Sequence, residues 1–238
     1  MKTTAIRKTN HVARLCVLMV LCAFCGGRAV AQDYLYEIGG GLGVAQYYGD
    51  ANRGLLGSTG FGLEAFGRYN HNFRWAFSAI LDWRSLSGNS THVGNVFPGA
   101  AQADFRASLT QLHVRAEFNF VPYSDGYKYL GTARLSPYLT AGISMGMASG
   151  TKGSAFAPGI TGGVGVKYKL KRRLNIGVEY AFTGLLTDAL DALTEQSAWL
   201  NNPYQVNDSW LKNRDATGAL MVRLTYDFGL RKSNCNKR

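Results

Sequence analysis

An unbroken alternation of apolar and polar residues over positions 109–120 constrains the fold more than any other feature of the chain. Leu112, Val114, Ala116, Phe118 and Phe120 alternate there with Gln111, His113, Arg115, Glu117 and Asn119. This is the period of a β-strand that has one apolar face and one polar face. A half-buried strand of a soluble protein shows the same pattern, so its meaning depends on whether other segments repeat it.

The pattern recurs along the chain, in residues 34–46, 60–69, 75–84, 136–147, 160–168, 174–182 and 215–228. Phe66 and Ile80 are large exceptions on the polar faces. If the protein were soluble, so many one-sided strands would expose a larger apolar area than a soluble monomer tolerates. In lipid a sheet must close on itself, because every backbone N–H and C=O needs a partner. The sequence therefore predicts an all-β fold, an eight-stranded antiparallel transmembrane β-barrel of the outer membrane. The alternative is a secreted or periplasmic β-sandwich.

The N-terminus has the order of a secretory signal peptide. Basic residues up to Arg14 precede an apolar run from Leu15 to Phe24, and Ala29-Val30-Ala31 supplies small residues for cleavage. The run has about ten residues, half of what a transmembrane helix needs. We expect residues 1–31 to be the signal peptide, 32–229 the barrel and 230–238 a short periplasmic tail.

Composition supports a membrane barrel and argues against a nucleic-acid partner. Glycine is plentiful (29 residues), aromatic residues make up 12% and charged residues only 17%. Glycine permits tight curvature, and aromatic side chains form girdles at membrane interfaces. The net charge of +11 falls by five with the predicted signal, and the remainder is spread over turns and tail. We expect outer-membrane lipid as a partner, no nucleic acid, no cofactor and no metal.

The lengths of the connections predict the orientation of the barrel. The turns after the second and sixth predicted strands are short, whereas long loops follow the first, third and seventh. Periplasmic turns of outer-membrane barrels are short and outer loops are long. Both ends of the mature chain are therefore expected in the periplasm. Within the longest loop, residues 187–200 have apolar residues near helical spacing, so we expect a loop helix that covers the strand ends, with docking on a partner as the alternative.

The polar faces of the predicted strands carry charges of both signs. An eight-stranded barrel is narrow enough to be filled by its own side chains, and an unpaired buried charge costs several kcal/mol. We therefore expect a paired, hydrogen-bonded interior rather than a wide pore. The expected interior residues are Glu37, Glu64, Arg68, Asp82, Arg84, His113, Arg115, Glu117, Lys167, Glu179, Arg223 and Asp227.

One enzyme motif is present, since residues 142–146 fit G-x-S-x-G. A nucleophile elbow needs a sharp turn from strand to helix, whereas Ser144 lies within an alternating strand. Ser144 and His113 are expected on the inward faces of neighbouring strands, so a barrel lipid hydrolase is an alternative. A filled interior would deny a lipid access to them. We expect no enzyme activity and a structural His113 beside Arg115 or Glu117.

Several stretches resemble one family along almost the whole mature chain. They are residues 36–43, 48–52, 97–100, 134–142, 163–170, 211–215 and 224–227. In these stretches the sequence is similar to the PorG family, the outer-membrane β-barrel protein of the type IX secretion system. That family usually has paired cysteines after the last strand. Here only Cys235 remains after the predicted signal is removed.

The resemblance implies a non-enzymatic role in type IX protein secretion. It implies a barrel that holds the periplasmic ring proteins, a lipoprotein and its partner, against the outer membrane. Aromatic and cationic side chains at the periplasmic rim would make these contacts. The alternative is that the basic residues are solvated and lie near lipid headgroups. A generic small barrel or adhesin that acts through its outer loops is the alternative function. The expected docking residues are Tyr123, Tyr127, Lys128, Tyr129, Arg134, Lys169, Lys171, Arg172, Arg173, Arg231, Lys232 and Cys235.

Overall fold

Strands with alternating inward and outward side chains dominate the computed structural model, which describes residues 34–48, 59–89, 104–125, 131–151, 153–187 and 215–230. The strands are β1 (Tyr34–Tyr48), β2 (Thr59–Asn70), β3 (Trp75–Asn89), β4 (Asp104–Asn119), β5 (Leu135–Gly150), β6 (Gly153–Phe156), β7 (Gly159–Lys171), β8 (Leu174–Leu185) and β9 (Ala216–Leu230). Among the described residues, no helix has the length and apolar character needed to cross a membrane.

These strands form one antiparallel sheet that closes on itself. Consecutive strands pair along the sheet, and β9 returns to pair with β1, where Leu42 lies opposite Val222. Strand β4, at one end of this order, also pairs with β5, near the other end. This additional pairing closes the sheet. Since β6 extends β7, the result is a closed eight-stranded barrel, which confirms the predicted fold class.

The strand composed of β6 and β7 is interrupted at Pro158. Ser144 on β5 pairs with Gly159, and Met147 pairs with Phe156, so the register is the same on both sides of the interruption. Proline has no N–H to donate to a ladder. The residues after Gly150 fold directly back onto β5, where Gly153 pairs with Gly150.

The apolar faces point outward and remain exposed. Ile38, Ile143 and Ile160 have 58%, 58% and 59% of their surface accessible. The two exceptions to the alternation, Phe66 and Ile80, point inward and are buried. The Phe66 ring fits the polar interior through cation–π contacts, because the guanidinium groups of Arg68 and Arg223 lie 5.3 and 5.2 Å from its centroid.

The two ends of the barrel differ. One end is formed by the strand termini Tyr34 and Leu230 and by residues 71–74, 120–125, 131–134 and 172–173, and we call it the terminal rim. We call the opposite end the loop rim. Just inside the loop rim, an apolar cluster fills the interior with residues Ala45, Tyr47, Leu86, Ala107, Leu109, Ala148, Ala157 and Leu185. The predicted signal peptide, the expected loop helix and the chain after residue 230 lie outside the described residues.

Candidate functional site

The charged residues expected in the interior are all buried in the barrel. None has more than 8% of its surface accessible. They are Glu37, Glu64, Arg68, Asp82, Arg84, His113, Arg115, Glu117, Lys167, Glu179, Arg223 and Asp227. The alternation of each strand places them there, since every second side chain points to the same face.

Glu179 and Arg223 occupy the middle of this interior. Arg223 forms ion pairs with Glu179 and, through Nε and Nη2, with both carboxylate oxygens of Glu64. Arg115 Nη1 lies 2.8 Å from Glu179 Oε1. The hydroxyl of Tyr138 donates to the other oxygen of Glu179 at 2.8 Å. Both carboxylate oxygens of Glu179 are therefore satisfied, which is the condition under which a buried charge is tolerated.

A second group lies closer to the terminal rim and is centred on Arg68. Its Nη1 lies 2.6 Å from Glu37 Oε2, and its Nη2 lies 2.9 Å from Glu117 Oε2. Lys167 pairs with the other oxygen of Glu117. Asn70 Nδ2 donates to Glu37 Oε1 at 2.9 Å. These contacts join β1, β2, β4 and β7 across the interior.

A third group, centred on Asp82, lies toward the loop rim. Asp82 Oδ2 pairs with Arg84 and lies 3.2 Å from His113 Nε2. Arg84 Nη1 donates to Thr217 Oγ1 at 3.1 Å. His113 thus contacts Asp82 rather than the expected Arg115 or Glu117. Arg115 and Glu117 follow His113 on β4, but Arg115 pairs with Glu179 and Glu117 pairs with Arg68.

The terminal mouth of the barrel is closed by Tyr123 and Lys169. Lys169 Nζ lies 2.7 Å from Asp227 Oδ2 and 3.9 Å from Asp125 Oδ1. Tyr123 donates its hydroxyl to Asn175 Oδ1 at 2.9 Å, and Lys167 Nζ lies 4.6 Å from its ring centroid. Burial, and then the carboxylates of Glu37 and Asp227, raise the pKa of Tyr123, so the hydroxyl remains a donor.

Tyr123 and Lys169 therefore do not lie on the exposed docking rim where the sequence placed them. Tyr123 is 1% accessible and Lys169 is 4% accessible. Lys169 lies two positions after the interior residue Lys167 on the same strand, so the alternation of the sequence already indicated that it points inward. Tyr123 gave no such signal, because it belongs to a connection rather than to an alternating strand.

The other expected docking residues fall into two sets. Arg134, Lys171, Arg172 and Arg173 are exposed at the terminal rim. Arg134 Nε donates to the carbonyl of Asp125 at 3.2 Å. The second set lies outside the described residues and comprises Tyr127, Lys128, Tyr129, Arg231, Lys232 and Cys235.

The interior leaves little space for solutes. The gap bounded by Arg68, Tyr138, Lys167 and Arg223 measures about 10 Å³, which is at the lower limit for a single water. The charged groups fill the middle of the barrel, Tyr123 fills the terminal mouth and the apolar cluster fills the loop side. Within the part of the chain that the structure describes, the barrel is a packed core rather than a pore.

Ser144 and His113 lie directly opposite each other on β5 and β4. His113 Nε2 faces Asp82, however, and Ser144 Oγ accepts a hydrogen bond from Gln111 Nε2 at 3.3 Å. Both side chains are buried, and the serine is hydrogen-bonded to an amide rather than to a base. Among the described residues, no group of three or more His, Cys, Asp or Glu is arranged to hold a metal ion.

Comparison with solved structures gives matches at low sequence identity. Neisserial surface protein A is 16% identical, with 81% of this chain and 97% of that chain covered and a TM-score of 0.48. Ail, the attachment invasion locus protein of Yersinia pestis, is 15% identical over 83% and 100% of the two chains, with a TM-score of 0.45. OprG from Pseudomonas aeruginosa is 11% identical over 83% and 97%, also with a TM-score of 0.45.

Comparison with curated protein sequences gives no match. A family model described as the outer membrane protein beta-barrel domain matches residues 16–228, which is most of the chain. The chain therefore belongs to the family of outer-membrane protein β-barrel domains, and its location is the outer membrane.

Proposed function

We propose that this barrel is a non-enzymatic component of the type IX protein secretion system. In this role it anchors periplasmic ring proteins, a lipoprotein and its partner, to the outer membrane. The terminal rim faces the periplasm and makes the contacts. The sequence similarity to the PorG family over most of the mature chain supports this assignment, together with the packed interior.

The packed interior is the observation that carries the proposal. A barrel whose middle is filled by the ion pairs of Arg68 and Arg223 has no channel for a solute or an unfolded chain. Its outer wall is apolar and contacts lipid. Its interactions with other proteins are then made at the two rims. This arrangement supports an anchor rather than a transporter.

The connection from β4 to β5, residues 120–134, is the best candidate for the contact. It is far longer than an antiparallel turn needs, and loops of such length often bind a partner. Its two ends are held together, because Ser124 N donates to Ala133 O at 3.1 Å and Ala133 N donates to Pro122 O at 2.9 Å. Tyr127, Lys128 and Tyr129, between these ends, supply the aromatic and cationic groups that are common at interfaces.

Affinity purification after mild detergent extraction tests the proposal. The test variant replaces residues 126–130 with a Gly/Ser segment of equal length and leaves Tyr123 and Ala133 in place. The control variant makes the same replacement in residues 94–98, in the connection between β3 and β4. We expect the ring proteins to co-purify with the native chain and the control variant but not with the test variant. Recovery with the test variant equal to that of the native chain would contradict the assigned contact.

A small barrel or adhesin that acts through its outer loops is the second candidate. The long connections 49–58, 90–103 and 186–215 all follow strands that end at the loop rim, which favours this candidate. Deletion of the gene separates the two functions. Loss of protein secretion supports the anchor, whereas intact secretion with loss of host or surface binding supports the adhesin.

A further inference from the structure

Arg173, in the turn between β7 and β8, is held in position by two tyrosines at the terminal rim. Its Nε donates to Tyr34 Oη at 3.3 Å, and its Nη1 donates to Tyr226 Oη at 3.1 Å. Its guanidinium carbon lies 5.4 Å from the centroid of the Tyr34 ring. Lys171 and Arg172 beside it are also exposed. A fixed guanidinium and two further exposed cations therefore belong to the same short segment at the rim.

Tyr226 connects this cationic corner with the lipid-facing wall. It lies opposite Ile38 on β1, and its neighbour along the same face of β9, Phe228, lies opposite Tyr36. The rings of Tyr36 and Phe228 are 5.6 Å apart, and Tyr69 on β2 lies 5.7 Å from Tyr36 on the other side. Aromatic side chains in such a band lie at the depth of lipid headgroups.

An apolar notch lies in the wall beneath these aromatic rings. Its volume is about 400 Å³, and its outward lining includes Ile38, Gly67, Ala79 and Phe228. The notch exists because Gly67 lies beside Ala79 in the sheet, where larger residues would fill the surface. A Cβ at Gly67 would meet no atom within 4 Å, which confirms that space there is open.

We propose that this surface binds one anionic glycerophospholipid. Its phosphate lies against Arg173, Arg172 and Lys171, and one acyl chain crosses Ile38 and fills the notch at Gly67. Guanidinium groups form strong, charge-assisted hydrogen bonds with phosphate oxygens, and basic clusters beside membrane segments attract anionic headgroups. The site lies where β9 meets β1, so a bound lipid covers the seam at which the barrel closes.

A second groove in the outer wall provides a control site for the lipid-binding experiment. It measures about 840 Å³ and lies between β5, β7 and β8, near the loop rim. Its described lining contains no lysine or arginine. A Cβ at Gly184 in this groove would also meet no atom within 4 Å. Gly184→Leu therefore fills a lipid-facing space that lacks a cation for the headgroup.

Native mass spectrometry of the detergent-purified, full-length mature protein titrated with phosphatidylglycerol tests the proposal. The test variants are Arg173→Gln and Gly67→Leu, and the matched controls are Arg134→Gln and Gly184→Leu. We expect phosphatidylglycerol to bind at least about tenfold more weakly to each test variant, equivalent to about 1.4 kcal/mol, and with unchanged affinity to each control. Heat-modifiable migration on gels verifies that every variant is folded.

The source of the phosphate is tested in the same experiment. Inorganic phosphate alone is expected neither to remain bound nor to compete with phosphatidylglycerol, because it cannot use the notch. Equal lipid binding by the native chain and both test variants would overturn the proposal. Loss with Arg173→Gln but not with Gly67→Leu, or competition by inorganic phosphate, would also overturn it, because the ligand would then be an anion rather than a lipid.

Discussion

The hydroxyl of Tyr138 on β5 donates a 2.8 Å hydrogen bond to Glu179 Oε2 on β8, inside the barrel and across the intervening strand β7. The same carboxylate pairs with Arg223 and, through its other oxygen, with Arg115. Glu179 thus connects three strands besides its own. The interior of this barrel is consequently a fixed polar core that depends on a small number of shared carboxylates.

Glu179→Gln tests the energetic role of that core. The substitution keeps the size of the side chain but leaves Arg115 and Arg223 without this negative charge in the interior. Removing one partner of a buried pair costs about 3 to 5 kcal/mol. We expect a loss near the lower value, measured by urea unfolding of the protein in lipid vesicles. Lys171→Gln on the exposed turn is the control, with a change within about 0.5 kcal/mol. Equal unfolding midpoints for Glu179→Gln and the native chain would be inconsistent with this role.

Gly142→Ala tests how closely the strands approach each other inside the barrel. A Cβ at Gly142 would overlap the carbonyl oxygen of Val114 and lie 2.7 Å from Arg115 Cα. Since both are backbone atoms, the strands would have to shift. Overpacking of this kind costs about 1 to 3 kcal/mol. Gly67→Ala, which adds a methyl group in open space on the outer wall, is the matched control and is expected to change stability by less than about 0.5 kcal/mol.

Ser144→Ala tests the alternative of a lipid hydrolase. The serine hydroxyl accepts from Gln111, and His113 faces Asp82, so neither group is arranged for attack on an ester. We expect the lipid profile of the outer membrane to be the same in cells that produce the variant and the native chain. Accumulation of an intact lipid species in the variant alone would support the hydrolase.

The sequence was sufficient to predict the fold because the alternation is a local property. Each strand shows which residues face lipid, and closure then follows from the need to pair every backbone group. The same local rule identified both partners of every central ion pair, such as Arg68 with Glu117. It did not identify which carboxylate each cation contacts. That depends on how far the strands are staggered around the barrel, as the contact of His113 with Asp82 illustrates.

The terminal rim was the least predictable part of the candidate site. Tyr123 belongs to an irregular connection, for which no periodicity indicates the direction of a side chain, and it fills the terminal mouth. In the sequence, Lys169 was interpreted as part of a basic turn, but it lies on the inward face of β7 beside Asp227. The apolar cluster around Tyr47 and Leu109 was also not expected, because these inward apolar residues lie at or just beyond the limits of the predicted strands, 34–46 and 109–120.

Conductance across a planar lipid bilayer shows whether the barrel is filled by its own side chains. The protein is reconstituted in folded form, verified by heat-modifiable migration, and currents are recorded in concentrated KCl. We expect no single-channel steps, because Tyr123, the ion pairs of Arg68 and Arg223 and the apolar cluster fill the interior in succession. Stable open-channel currents from the native chain would contradict it, since they require a continuous aqueous path through these layers.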